Sequence, residues 1–241
     1  MKLFIFGLML CSFAHGFETG FSREAEVPEP LIFDLVRRLN SDKGELEVNF
    51  LIVQDRASEL KDTYIAPEIE YSFAQGKAIE LELPTAEGKI KAFKTALQFQ
   101  LPDIFNGKTG MQIIYENFLG EKTQEGTLIF VYARKLDSHL SSLTMLGNRF
   151  VDGDKIHGHT RSGKELPILN QNLFYNYAEN FDFGIEINLR GVGASFEELL
   201  VVPQIHSLLA HDFKIQTGLG VAHDGYVTSL VSAFRFIKEF N

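Results

Sequence analysis

The 241-residue sequence predicts an all-β fold, an antiparallel up-and-down arrangement of about twelve strands, with ten as the lower count. Three observations predict it. Hydrophobic residues recur with a period of two from Gly44 to the carboxy terminus, turn-like residues interrupt each run, and no long segment between runs has helical periodicity. The third observation removes parallel β-α-β units, whose strands need a crossover helix between them.

The first runs are the plainest. Leu46, Val48, Phe50 and Ile52 share one face while Glu45, Glu47 and Asn49 share the other. Ile65, Pro67, Ile69, Tyr71 and Phe73 oppose Glu68, Glu70 and Ser72; after Gln75-Gly76, Ile79, Leu81 and Leu83 oppose Glu80 and Glu82. Past Gly88, Phe93, Thr95, Leu97 and Phe99 oppose Lys94, Gln98 and Gln100. Further runs start near Met111, Thr127, Leu140, Ile168, Phe183, Leu199, Phe213 and Tyr226. In 183–190, Phe183, Ile185, Ile187 and Leu189 face one way and Gly184, Glu186, Asn188 and Arg190 the other. Residues 127–133 are apolar on both parities, and 140–150 are irregular.

Composition narrows the function classes. With 45% hydrophobic residues and a single Cys, the chain is not a disordered tail, a collagen or a disulfide scaffold. A net charge of -9 supplies no basic face for phosphates, so no nucleic-acid partner is expected.

The amino terminus reads as a signal peptide over residues 1–16: Lys2, an apolar run from Leu3 to Ala14, then small residues in Ala14-His15-Gly16. The run is shorter than the roughly 20 residues a spanning helix needs. Cys11 would leave with it. Residues 17–43 form a leader containing Val27-Pro28-Glu29-Pro30, followed by Leu31, Leu35, Val36 and Leu39 at the spacing of a short amphipathic helix or an extended piece. The strand domain is assigned to 44–241.

An amphipathic meander buries its apolar face in a dry core or turns it outward to lipid. Three features favour lipid. Full charges crowd one parity (Glu45, Glu47, Glu68, Glu70, Glu80, Glu82, Lys94, Glu116, Glu186, Arg190, Arg235) and are scarce on the other, as expected where a lipid-facing Arg or Lys costs about 2–4 kcal/mol. Several runs reach about nine to eleven residues, the span of a tilted transmembrane strand. The final run places Phe234, Phe236 and Phe240 on one face and Arg235 and Glu239 on the other. The fold class is therefore a transmembrane β-barrel with a narrow polar lumen. Tyr64, Tyr71, Tyr115, Tyr132, Tyr175, Tyr177 and Tyr226 are candidates for its interfacial girdles.

The final strand resembles those of bacterial outer-membrane barrels, whose terminal aromatic is read by the barrel-assembly machinery; the resemblance makes Phe234, Phe236 and Phe240 the assembly signal, although Asn241 follows them here. Pro30-Leu31-Ile32-Phe33-Asp34-Leu35-Val36, Lys43-Gly44-Glu45-Leu46-Glu47, Ala66-Pro67-Glu68-Ile69-Glu70-Tyr71, Val201-Val202-Pro203-Gln204-Ile205-His206 and the closing 234–240 together resemble a poorly characterised group of porin-like Gram-negative outer-membrane β-barrel proteins. That resemblance implies a fold and an outer-membrane address, and brings no catalytic residues.

Inside such a barrel, Glu45, Glu47, Glu68, Glu70, Glu80 and Glu82 would form neighbouring acidic rows, destabilising unless water, cations or Lys94, Arg190 and Arg235 neutralise them. With Glu116, Glu186 and His206 they are the candidate lumen and solute-facing residues. The expected activity is passage or binding of small solutes, with cations preferred. The alternative is a non-conducting structural or binding barrel, its lumen plugged by salt bridges and the leader. The partners are outer-membrane lipid, small solutes and the assembly machinery; no cofactor is expected, and the oligomeric state is open.

Two constellations bear on chemistry. His157-Gly158-His159 near Asp152 and Asp154 has metal-ligand residue types, but the spacing suits a solvated loop, and no metal is assigned. His206, with His211 after it and Ser207, Ser229 or Ser232 as the hydroxyl, is the seed for an embedded lipid esterase or deacylase. Adjacent strand residues point to opposite faces, so His206 does not activate Ser207, and no catalytic residue is assigned.

Overall fold

A computed structural model describes residues 27–33, 35–55, 63–153, 165–178, 180–192, 195–210 and 212–240. The expected signal peptide, Cys11, His157-Gly158-His159, Asp154 and His211 lie outside them. Among the described residues every regular element is a strand: β1 (Leu46–Asp55), β2 (Thr63–Ala74), β3 (Lys77–Glu82), β4 (Thr85–Ala86), β5 (Lys89–Ile90), β6 (Ala92–Ile104), β7 (Gly107–Phe118), β8 (Thr123–Lys135), β9 (Leu140–Gly153), β10 (Glu165–Ala178), β11 (Phe181–Val192), β12 (Ser195–Ala210), β13 (Phe213–His223) and β14 (Thr228–Phe240).

All pairings are antiparallel, and β1 pairs with both β2 and β14, so twelve of these strands close a barrel with no free edge. Closure satisfies the backbone groups that lipid cannot hydrogen-bond. The count is twelve, not ten. β4 and β5 form a small hairpin on β2 beyond β3. They are separate because Pro84 has no N–H for the ladder; its carbonyl instead accepts from Lys91 (2.7 Å).

The parity decides which face is which. On β2 and β3, Ile69 is 51% exposed and Leu81 47%, while Glu70 and Glu80 between them are 0% and 2% exposed. The same holds around the barrel: Phe50, Phe93, Ile113, Phe130, Leu146, Ile185, Leu219, Phe234, Phe236 and Phe240 are exposed on the outside. Hydrocarbon therefore surrounds the cylinder. Tyr71, Tyr115, Tyr175 and Tyr177 stand on this outer face, and Tyr177, Phe181 and Phe183 pack edge to face with centroids 5.0–6.4 Å apart. Tyr64 departs from the girdle expectation. It falls on the inward parity, and its hydroxyl donates to Glu82 (3.0 Å).

One end of the barrel holds both the start of β1 and the end of β14, paired as Leu46 and Phe240. The connections there are tight, as at Phe105-Asn106, where both central residues take positive φ (48° and 58°) and turn β6 into β7. The opposite end carries the longer connections, among them 56–62 and 154–164.

An arginine at the middle of the outer face should destabilise the barrel by about 2–4 kcal/mol. For Ile185→Arg, reversible unfolding in lipid vesicles is expected to show this loss; a change below about 1 kcal/mol would mean that this face meets water.

Candidate functional site

The lumen begins as an electrostatic problem. Register places Glu47 opposite Glu70 and Glu70 opposite Glu80; one row further along, Glu68 pairs with Glu82 and Glu82 with Lys94. Directly opposed like charges destabilise a sheet. Among the described residues the strands bury seven carboxylates (Glu47, Glu68, Glu70, Glu80, Glu82, Glu125, Glu186) but only two cations, Lys94 and Arg235. Lys94 lies against Glu80 (3.2 Å) and Glu82, and Arg235 against Glu68 (3.4 Å), as expected of cations reaching across. Arg190 does not reach this wall. It is exposed at the long-loop end, 3.8 Å from Glu198. Glu116, inward and half-buried, is paired with Lys94 in the ladder.

The missing cation comes from the leader, which occupies the lumen. The leader has no helix in its described residues, and the apolar residues at helical spacing fold instead as an irregular loop whose side chains contact the wall on several sides. The third buried cation is Arg37, which donates to Glu47 and to Glu45 (2.5 Å). Its backbone is clasped by Gln98, whose amide donates to the Arg37 carbonyl (2.6 Å). Arg38 bonds Glu45 (3.4 Å) and donates its backbone N–H to Glu29 (2.9 Å), which folds the loop back on itself.

At the tip of the loop, three successive backbone N–H groups converge on one carboxylate. Leu31 and Ile32 donate to Oε2 of Glu186 (2.9 and 3.1 Å), and Phe33 to Oε1 (2.8 Å). Asn188 also donates to Oε1 (2.8 Å). Asn170 and Asn172 on β10 and Gln204 on β12 extend this into an amide ladder. The Pro30 carbonyl accepts from Arg235 (3.3 Å).

The remaining wall is apolar, which differs from an all-polar lumen. Ile114, Ile129, Val131, Leu143, Met145 and Phe174 point inward from β7–β10 and pack with Phe33, Leu35, Val36 and Leu39 of the loop. This explains why residues 127–133 are apolar on both faces: β8 has lipid outside and the loop inside. Two glycines make room. A Cβ on Gly218 would lie 2.6 Å from Leu31 Cδ2, and one on Gly110 would lie 2.5 Å from Leu39 Cδ2.

The sequence-derived site residues thus divide. Glu47, Glu68, Glu70, Glu80, Glu82, Lys94, Glu186, His206 and Arg235 are inward and buried. Glu45 precedes β1 and joins the loop's ion pairs. His206 bonds Gln204 and lies against the Phe174 ring. Ser207 and Ser232 are on the opposite parity, and Ser229 is roughly 20 Å along the barrel by strand rise. Arg37, Asn170, Asn172, Asn188 and Gln204 are the functional residues that the sequence reading passed over. An excess of inward carboxylates over inward cations was the signal for Arg37.

Outside the strands, charge acts in clear directions. Burial would lower the Arg37 guanidinium, but Glu47, Glu29, Glu70 and Glu45 hold it raised. Burial would raise the Glu45 carboxyl, yet the hydrogen bond from Arg37 and the charge of Arg38 hold it below its ordinary range.

The chain belongs to the HAEPLYID-like family, which matches residues 25–239. No curated protein matches the sequence. Among solved structures it is similar to the KdgM porin in complex with disordered oligogalacturonate (TM-score 0.59, 11% identity, 81% of this chain and 98% of that one). It is also similar to the NanC porin (TM-score 0.61, 8% identity, 81% and 100%) and to an outer-membrane channel of Pseudomonas putida F1 (TM-score 0.58, 11% identity, 83% and 96%). At these identities the likeness establishes the fold, that of a porin-like outer-membrane barrel.

Hydrogen bonds to a charged group contribute about 1.5–3 kcal/mol each. Glu186→Gln should therefore speed amide exchange at Leu31, Ile32 and Phe33 by roughly tenfold or more; unchanged protection would mean that Glu186 does not hold the loop. Because the Glu45 carboxyl is depressed when docked, its contribution is complete above the ordinary carboxylate range and is lost as pH falls through the depressed value. Normalised protection at Arg37 and Arg38 should fall across that window, and Glu45→Gln should flatten the response.

Proposed function

We propose that this protein is a gated outer-membrane channel: an exported barrel, inserted by the barrel-assembly machinery, closed at rest by its own leader and passing small cationic solutes when the leader withdraws. The observation that carries the reading is the stopper's attachment. It is held by side-chain and backbone contacts that can be broken and remade, at Glu186, Glu45, Glu47 and Gln98. Short turns at the end where β1 starts and β14 finishes, with longer connections opposite, are the arrangement of barrels whose turns face the periplasm. The leader then enters from the periplasmic side.

The preference for cations rests on the wall the leader covers. Withdrawal removes Arg37 and leaves Glu47, Glu70 and Glu186 facing the opening, and rows of carboxylates bias permeation toward cations. The uronate carboxylates of an oligogalacturonate, the ligand named for one structural neighbour, would be repelled by such a wall. The filled lumen favours a second reading, a barrel that never conducts.

Planar-bilayer recording separates the two. Wild-type protein should show rare openings, Glu186→Gln roughly tenfold higher open probability, and the reversal potential should lie on the cation side. Replacing Glu47 and Glu70 by Gln in the Glu186→Gln background should abolish that selectivity. Silence in Glu186→Gln, with amide exchange reporting a released loop, establishes the non-conducting barrel.

A further inference from the structure

The group seated among Glu45, Glu47 and Glu70 is a planar guanidinium delivered by the chain itself. Arg37 Nη1 bonds Glu47 and stands 4.0 Å from Glu70 Oε2, and Nη2 bonds Glu45 Oε2 at 2.5 Å. Two further acceptors at this place are not used. Glu70 is fully buried and its Oε2 has no hydrogen-bond partner; Asn49, 1% exposed, spends its amide nitrogen on Glu70 Oε1 (2.7 Å), and its Oδ1 has none. Glu29 and Arg38 are the other charged groups of the loop acting here. A buried acceptor with no donor costs about 1–3 kcal/mol, more when charged. Arg37 therefore leaves this pocket incompletely satisfied.

We infer that Glu45, Glu47, Asn49 and Glu70 form a solute subsite for a guanidinium or primary ammonium group, and that Arg37 occupies it in the closed state as a tethered stand-in for the solute. The assignment rests on the gated-channel reading for its physiological meaning. A free guanidinium, unrestrained by the loop backbone, can satisfy Glu70 and Asn49 together with Glu47, whereas Arg37 is fixed by its own backbone bonds to Gln98. Binding of such a solute and withdrawal of the leader are then competing occupancies of one place. Donor geometry is the selective element: planar forks and –NH3+ groups reach carboxylates in pairs or triplets, and a quaternary ammonium cannot donate at all.

The experiment is calorimetric titration of millimolar guanidinium into full-length Arg37→Ala barrel in nanodiscs, with tetramethylammonium as the non-donating control. Guanidinium should bind Arg37→Ala at least roughly tenfold more tightly than the Arg37→Ala/Glu47→Gln/Glu70→Gln protein, and tetramethylammonium should bind neither. Equal binding to both proteins, or equal binding of the two cations, overturns the subsite. Should Arg37→Ala fail to give a heat-modifiable barrel, Glu186→Gln serves, because its loop is loosened at a different contact. Guanidinium should bind there too, and adding Glu70→Gln should weaken it. Binding without conduction would overturn the channel and leave the subsite. Conduction with binding indifferent to Glu47 and Glu70 would overturn the subsite and leave the channel.

Discussion

The arrangement depends on one constraint: three adjacent strands point opposed carboxylates at each other inside a lumen that the leader fills. Glu47, Glu70 and Glu80 form one row across β1–β3, Glu68 and Glu82 the next. Their burial requires cations within the lumen, since a buried charge stripped of its partner costs about 3–5 kcal/mol. Lys94 and Arg235 come from the wall, and each neutralises only its own neighbours. In the row nearest the start of β1, Glu80 is met by Lys94, while Glu47 and Glu70 are left to Arg37. A leader that runs back into the barrel follows from that shortage as directly as the closed sheet follows from the absence of water in lipid.

The leader's irregular course has its own logic. A continuing helix uses the N–H groups beyond its first turn, whereas here the Arg37 N–H and carbonyl go to Gln98, and Glu186 takes the N–H groups of Leu31, Ile32 and Phe33. Pro28 and Pro30, which lack N–H groups, stand just before them. The side chains then sort by wall: Phe33, Leu35, Val36 and Leu39 go to the apolar arc of β7–β10, and Arg37 to the acidic arc of β1–β3. The two arcs give the loop one seated orientation, and at Gly110 and Gly218 the absence of a Cβ lets Leu39 and Leu31 approach.

Much of this was legible in the sequence, because a strand shows its two environments in alternate residues. Ile69 and Glu70 or Ile185 and Glu186 each declare lipid on one side and lumen on the other, and twelve such runs give the barrel. The period cannot say what fills the lumen. Ile129, Val131 and Met145 are inward residues that read as ambiguous because their partner is a loop at least 90 residues away in sequence, the separation of Leu39 and Ile129. The spacing of Leu31, Leu35 and Leu39 suggested a helix for the same reason: a segment surrounded by wall contacts apolar residues on many sides, and period then reports the container. Residue type alone makes Tyr64 a girdle candidate, whereas its parity, matching Glu68, places it inside.

On the proposed reading the closure is reversible, and the composition of the wall gives the reason. A lumen closed for good is most stable with apolar filling, since replacing buried ion pairs by well-packed hydrophobic residues is often neutral or stabilising. This barrel does that along the arc of β7–β10 and, around Leu31, against Leu51, Ala66, Val202 and Ala233. On the facing arc it keeps carboxylates that are stable only while a cation is present, and it takes one of those cations from the leader, the segment proposed to withdraw. Under the proposed gating, emptying the lumen and loading it with another cation would be one exchange, in which the departing Arg37 leaves behind the charge that attracts its replacement. An acidic arc satisfied by a detachable arginine has the physical form of a binding site held closed by its own competitor.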